Sequence, residues 1–292
     1  MRLEITLAGD VTIRRAGAGE PHVLTGPSRV VLAALVLAGP AGVPRDRLAG
    51  FVWPENMPRT WASALRTHVS RVRTLVSAEI GGAGETIVSG DTGYQLALPD
   101  DVTLAVDVDR AEDDLAAARR ALPTDPDEAR RLAMAAADRL RAPFLTGHPG
   151  QWADDVRTRL GDVAVGALEL ASEAAIALGD GAGAVAAATE AVQRAPLRES
   201  AHRALMAACG AAGNRAEALL AYQRLRRVMA DTLGVDPSPE TEAAYLDLLG
   251  PAPPPRPARA RPAGGGLVPG PLGGPGSGPA PVPFVGREAE LA

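Results

Sequence analysis

Apolar and polar positions alternate from the start of the chain. Leu3, Ile5 and Leu7 interleave with polar neighbours between Arg2 and Gly9, the period-two pattern of a half-buried strand. Val11-Thr-Ile13 and His22-Val-Leu24 add two short β-prone pieces between glycine-rich turns, so a small antiparallel sheet is predicted. The periodicity then changes. Gly26-Pro27-Ser28 supplies a helix N-cap, and the run from Arg29 to Ala38 predicts a buried helix ending at Gly39-Pro40. A second helix is predicted from Pro44, in its first turn, to Trp53, with Leu48 and Val52 on one face. Pro54 and Pro58 bracket a loop, and Thr60 caps a third predicted helix that runs to about Ala78. After a break at Gly81 to Gly84, two strand-like pieces, Thr86-Ile-Val-Ser and Tyr94-Gln-Leu-Ala-Leu, are joined through Gly90-Asp-Thr-Gly93 as a hairpin.

Sheet, three helices and hairpin form the plan of a winged helix-turn-helix domain, whose third helix enters the major groove while the hairpin lies along the neighbouring backbone. That helix divides its faces as the plan requires. At about 100° per residue, Leu65, Val69, Val72 and Val76 fall within roughly 60° of one another and form the buried stripe. The opposite face carries Ser63, Thr67, Ser70, Arg71 and Thr74, with Arg66 and Arg73 on one flank. Hydroxyls and guanidinium groups hydrogen-bond base edges and phosphates. Between Glu55 and Glu79 lie 23 residues without an acid, and they include Arg59, Arg66, Arg71 and Arg73. A surface helix ordinarily mixes signs to gain i,i+4 pairs, so this face favours nucleic acid. A module that docks other proteins, the competing reading, would be marked by acids on the Ser63 to Thr74 face, and there are none.

From Asp107 to Gly250 the chain is alanine-rich, studded with arginine and acids, and reads as all helix. Asp180 and Asn214, each preceded by glycine, stand 34 residues apart, and Val185, Ala188 and Ala191 align with Leu219, Tyr222 and Leu225. Thirty-four is the tetratricopeptide period. Pro196 is predicted to start the second helix of one repeat, and Glu112 to Leu140 and Asp154 to Leu178 to supply further helical pairs; a generic alanine-rich bundle is the plainer alternative. Residues 251–283 hold 12 prolines and 8 glycines, the composition of a disordered or polyproline-like linker, and apolar signals return at Phe284 to Leu291.

Charge sharpens this division. Residues 1–100 hold 10 arginines against 9 acids, residues 101–250 hold 16 against 24, and the remainder holds 4 against 2, within a net charge of −5. All cationic side chains other than histidine are arginine. With no lysine, the chain supplies neither a Schiff-base nucleophile nor the lysine of a Walker A loop, and ATP-dependent catalysis within it is not expected. The lone Cys209 excludes an internal disulfide and fits a reducing cytoplasm. His22, His68, His148 and His202 are scattered, without a His-Glu-x-x-His pair, and no G-x-S-x-G elbow occurs, so no metal, no cofactor and no enzymatic activity are expected. The longest apolar run, Val30 to Gly39, is about half of a roughly 20-residue membrane span. The chain reads as cytoplasmic, without a membrane partner.

Arg45-Asp-Arg-Leu48, Trp53-Pro-Glu, Ala64-Leu-Arg-Thr-His-Val-Ser-Arg-Val-Arg73 and Gly93-Tyr94-Gln-Leu resemble the OmpR-like winged helix of the Streptomyces antibiotic regulatory proteins. Pro196-Leu-Arg-Glu199, Gly213-Asn-Arg-Ala-Glu-Ala-Leu219, Ala221-Tyr-Gln-Arg224 and Leu233-Gly-Val-Asp-Pro-Ser-Pro239 are similar to their tetratricopeptide-like bacterial transcriptional activation domain, while Val102 to Asp109 matches the junction between the two only weakly. The last nine residues, 284–292, resemble the opening of a STAND-type ATPase domain. The implied fold is mostly α with small β sheets: a winged helix over 1–100, the activation domain over 101–250, a linker over 251–283 and the start of a truncated third domain. No phosphorylated receiver domain of the kind that often accompanies OmpR-like winged helices in a phosphorelay precedes it.

The implied function is a transcriptional activator of antibiotic or other secondary-metabolite genes that binds promoter direct repeats as a dimer and recruits RNA polymerase holoenzyme. The alternative is a protein-interaction or sensor fragment of a STAND ATPase regulator without DNA binding of its own. On the resemblance, Thr67 and Arg71 meet bases, while Ser63, Arg66, His68, Ser70, Arg73, Thr74 and Tyr94 belong to the same DNA-binding surface, on phosphates or flanking edges. The loop Pro54, Glu55, Asn56, Met57, Pro58 and Arg59 corresponds to the one through which OmpR-like winged helices touch polymerase.

Overall fold

The computed structural model describes residues 1–82, 86–90 and 93–250. The predicted linker, the ATPase-like segment 284–292 and Asp91-Thr92 of the hairpin turn lie outside the described residues.

Strand β1 (Arg2–Thr6) pairs antiparallel with β2 (Thr12–Arg15), and β2 with β3 (His22–Val23), as the alternating pattern predicts. Helix α1 (Gly26–Ala38) follows, but Ser28 is not its cap. The cap position is Thr25, which makes no side-chain cap bond, and Ser28 sits inside the helix, buried. Val43–Pro44 form a short strand, β4, so Pro44 precedes α2 (Arg45–Val52) instead of occupying its first turn. Helix α3 spans Trp61–Glu79; Thr60 stands at its cap position, where its carbonyl and not its side chain accepts the amides of Ser63 and Ala64. The hairpin strands β5 (Ile87–Ser89) and β6 (Gly93–Leu96) pair antiparallel, and β4 joins β6 to make a three-stranded sheet. Gly93 is required there, since a Cβ would lie 2.1 Å from the Val43 carbonyl oxygen.

Thr103–Val106 forms strand β7, parallel to β1, with Leu3 opposite Leu104 and Ile5 opposite Val106. It completes a four-stranded sheet of order β3-β2-β1-β7. No sequence pattern announced it: four residues are too few for periodicity, and a parallel partner a hundred positions away leaves no turn signal.

The rest is helical, as expected: α4 (Asp107–Ala121), α5 (Pro126–Arg139), α6 (Gln151–Ala177), α7 (Gly181–Arg194), α8 (Glu199–Ala211), α9 (Arg215–Leu233) and α10 (Pro239–Leu249). The 34-residue offset is structural. Asp180 and Asn214 are the N-caps of α7 and α9, each side chain accepting the amide three residues on, and each follows a glycine of positive φ. Ala188 and Ala191, like their equivalents Tyr222 and Leu225, are buried. Two expectations fail locally. Asp154 to Leu178 is not a pair but most of one 27-residue helix, α6, packed on both α5 and α7, and Pro196 lies in a turn ahead of α8.

Residues 1–250 form one compact unit, and a single buried core runs from Leu3 in β1 to Ala201 in α8. Several contacts fasten its amino-terminal part, with the two sheets and α1 to α3, to its helical part. The Asp107 carboxylate, at the start of α4, accepts the amides of Leu7 and Ala8 at 2.8 and 2.9 Å. Burial nevertheless pushes its pKa up, against the lowering effect of those bonds. The segment between α5 and α6 lies along the amino-terminal part: Phe144 bridges Ala8, the Gly9 amide donates to the Pro143 carbonyl, and His148 Nε2 is 2.7 Å from the Phe51 carbonyl oxygen. Arg157 of α6 holds this segment by donating to the carbonyls of Phe144, Leu145 and His148 at 2.8, 2.7 and 2.7 Å. Leu145, fully buried, has a φ of +43°, a left-handed conformation that leucine adopts only under constraint.

Candidate nucleic-acid interface

Helix α3 buries the stripe read from its sequence: Leu65, Val69, Val72 and Val76 are at most 2% exposed. They pack against α1, α2 and the β2 side of the sheet. With this face fixed, Ser63, Arg66, Thr67, Ser70, Arg71 and Thr74 are all exposed. Ser63, Thr67 and Thr74 donate their hydroxyls back to the carbonyls of Thr60, Ser63 and Ser70 at 2.9 to 3.1 Å. Their oxygens keep lone pairs for outside donors such as base amino groups. Neither Arg66 nor Arg71 has a carboxylate partner among the described residues. The helix thus offers guanidinium donors and hydroxyl groups over about three turns without an acid on that face.

Three residues expected at this surface turn inward. His68 is half-buried, its Nδ1 3.1 Å from Ser28 Oγ and its ring 6.2 Å from that of Trp53. Burial, helped by the charge of Arg71, holds its pKa below the usual histidine value, so at neutral pH it joins α3 to α1 as a neutral ring. Arg73 donates through Nε and Nη2 to the Ile87 carbonyl at 3.1 and 2.8 Å, fastening β5 to α3. Tyr94 is only 5% exposed and fills the space between the hairpin and the helices. These three build the interface's support rather than its outer face. The reason is the same in each case: the helical wheel gives an angle, but what packs on the flank, α1 on one side and the hairpin on the other, is decided by the tertiary fold.

One residue was missed. Arg45, at the start of α2, donates to the Gly90 carbonyl at 3.2 Å and lies 5.7 Å over the Tyr94 ring. With Arg66, Arg73 and Ser89 it lines a cleft of about 490 Å³ between α3 and the hairpin, and none of the described lining residues is acidic. Its presence in the Arg45-Asp-Arg-Leu48 motif was the available signal.

The loop from Pro54 to Arg59 connects α2 to α3. Pro54, Glu55, Asn56, Met57 and Arg59 are exposed and Pro58 is half-buried. Its base is pinned by the helical part, where Gly150 packs so closely that a Cβ would lie 2.8 Å from that of Pro54. Among the described residues no group of acidic, histidine or cysteine side chains is arranged to hold a metal, and no helix is long and apolar enough to cross a membrane.

Residues 106–249 match the family described as bacterial transcriptional activator domain. The chain is 34% identical over 222 residues to the regulatory protein AfsR of Streptomyces coelicolor, a match covering 76% of this chain and 22% of the relative. It is 29% identical over 254 residues to the transcriptional regulatory protein EmbR of Mycobacterium tuberculosis, covering 85% of this chain and 63% of that one. The solved structure of that EmbR in complex with a low-affinity phosphopeptide superimposes with a TM-score of 0.74 at 28% identity, over 85% of this chain and 65% of that chain. The chain therefore spans about a fifth of the AfsR relative and under two thirds of EmbR.

Proposed function

We propose that this chain, a regulator of the Streptomyces antibiotic regulatory protein type with a bacterial transcriptional activator domain, is a sequence-specific DNA-binding activator. The carrying observation is the exposed, acid-free face of α3 beside a hairpin that Arg73 holds in place. Thr67 and Arg71, near the middle of that face, read base edges in the major groove. Ser63, Arg66, Ser70 and Thr74 with Arg45 contact the phosphates that set register. The exposed loop from Pro54 to Arg59 meets RNA polymerase holoenzyme, and two copies side by side occupy direct repeats in promoters of secondary-metabolite genes. The contrast in charge supports this division, since arginines dominate α3 while acids exceed arginines over residues 101–250.

The test is fluorescence anisotropy with a duplex whose protected bases have first been mapped by footprinting. Arg71→Ala is expected to weaken the cognate complex by about 1–3 kcal/mol and relax preference at one position, whereas Arg66→Ala weakens all duplexes alike and lowers the salt slope by about 1. Equal affinity of the unaltered chain for cognate and scrambled duplex would refute the proposal.

A further inference from the structure

A cleft of about 430 Å³ opens where the amino-terminal part meets the helical part, with no α3 residue among its described lining residues. Its walls are Phe51 in the last turn of α2 and Pro54 in the loop after it, with Pro149 just ahead of α6 and Trp152 in its first turn. Phe51 and Trp152 stack with centroids 4.4 Å apart and planes at 15°, and Phe144 meets Trp152 edge-on, so the aromatic walls are braced from behind. The lining residues include one charged side chain, Arg47, exposed and with no carboxylate partner among the described residues. Its guanidinium lies 5.5 Å over the Phe51 ring.

Gly50 makes the cleft more than a gap between surfaces. It lies within α2, where glycine costs up to about 1 kcal/mol relative to alanine. Its φ is not left-handed, and a Cβ built on it would meet no atom within 4 Å. Neither backbone geometry nor packing requires glycine there; the space that its missing side chain leaves open belongs to the cleft.

We propose that this cleft is a binding site for a small planar aromatic carboxylate. The volume lies within the range of small-molecule sites, which favour domain junctions with apolar walls and few polar groups. Ring and proline walls favour an aromatic body, and a guanidinium at the edge without a carboxylate partner among the described residues favours a carboxylate. A ligand held there touches α2, α6 and the root of the Pro54 to Arg59 loop together.

The probe is 2-naphthoate, titrated into the 292-residue chain and followed by saturation-transfer NMR, with its neutral amide as control. Saturable binding is expected, weakened about fivefold to tenfold by Arg47→Gln, and the amide should bind the unaltered chain about as weakly as naphthoate binds that variant. Gly50→Leu, which fills the space and improves helix propensity, is expected to keep the melting temperature and lose binding; Gly50→Met provides the same test with an unbranched side chain. The proposal is overturned by absence of saturable binding up to about 5 mM, where a site would be worth less than about 3 kcal/mol. It is also overturned by unchanged binding in a folded Gly50 variant, or by equal affinity for acid and amide. None of these readouts involves DNA, so the site stands or falls apart from the activator reading.

Discussion

Arg157→Ala removes one side chain that serves three backbone carbonyls, and its cost can be worked from the structure. A hydrogen bond to a charged group is worth about 1.5–3 kcal/mol, and a buried group left without its partner costs about 1–3 kcal/mol. Three such bonds from one guanidinium are not independent, and the side chain keeps 24% of its exposure, so water can replace part of what is lost. The expected destabilisation is about 3–4 kcal/mol, a large share of a typical 5–15 kcal/mol. The assay is urea denaturation followed by far-UV circular dichroism and by tryptophan fluorescence. Trp53 and Trp61 lie in the amino-terminal part and Trp152 at the junction, so fluorescence reports on one side and dichroism mostly on the helices. Because one core spans both parts, the two signals should change together in the parent and in the variant. Arg157→Lys keeps the charge but not the fork that spans three carbonyls, and should recover less than half of the loss. A cost below about 1 kcal/mol, or two separated transitions in the parent protein, would refute the reasoning.

Arg73→Met should weaken DNA binding across all sequences while leaving preference among bases intact, because it frees the hairpin rather than removing a base contact; a changed base preference in the anisotropy assay would contradict this. Replacing Asn214 by Ala should cost about 1 kcal/mol in urea unfolding, and Asp180→Ala somewhat more, because Asp180 also pairs with Arg130 at 2.7 Å; equal costs would show that this pair contributes nothing. Burial holds His68 and His202 below the usual histidine value of 6.5, so the unfolded chain takes up protons first as pH falls past 6.5. Stability should therefore be full above that pH and decline below it. His68→Gln should flatten the decline in urea midpoint between pH 7.5 and 5.5, and an unchanged slope would count against it. Asp107 acts in the opposite sense, since its raised pKa gives stability that is present below about 3.8 and is lost as pH rises through the folded value.

Periodicity and end signals made the helices legible. The α3 stripe and the paired caps at Asp180 and Asn214 were readable because each depends on residues within one or two turns of the chain. What escaped depends on distant partners. Strand β7 exists because β1 offers an edge, and β4 because Gly93 lets two backbones close. Ser28 looked like a cap but is buried against His68, a contact across 40 positions. The candidate interface was legible in residue type and in its outward face. It was not legible on its flanks, where His68, Arg73 and Tyr94 are claimed by α1 and the hairpin. Arg45 escaped because a motif gives its presence without showing that it sits over Tyr94.

The pairing of β1 with β7 has a consequence during synthesis. Strand β1 finds its parallel partner only when Thr103–Val106 has followed it out of the ribosome, and the Met1 ammonium meets the Asp101 carbonyl at 2.6 Å on the same schedule. At elongation rates of about 5–20 residues per second, that is a wait of about 5–20 s with one edge of the nascent sheet open. Open edges invite pairing with other chains, so the amino-terminal half depends for its own completion on the first residues of the helical half. A fragment ending at residue 100 would emerge as a nascent chain whose wait never ends.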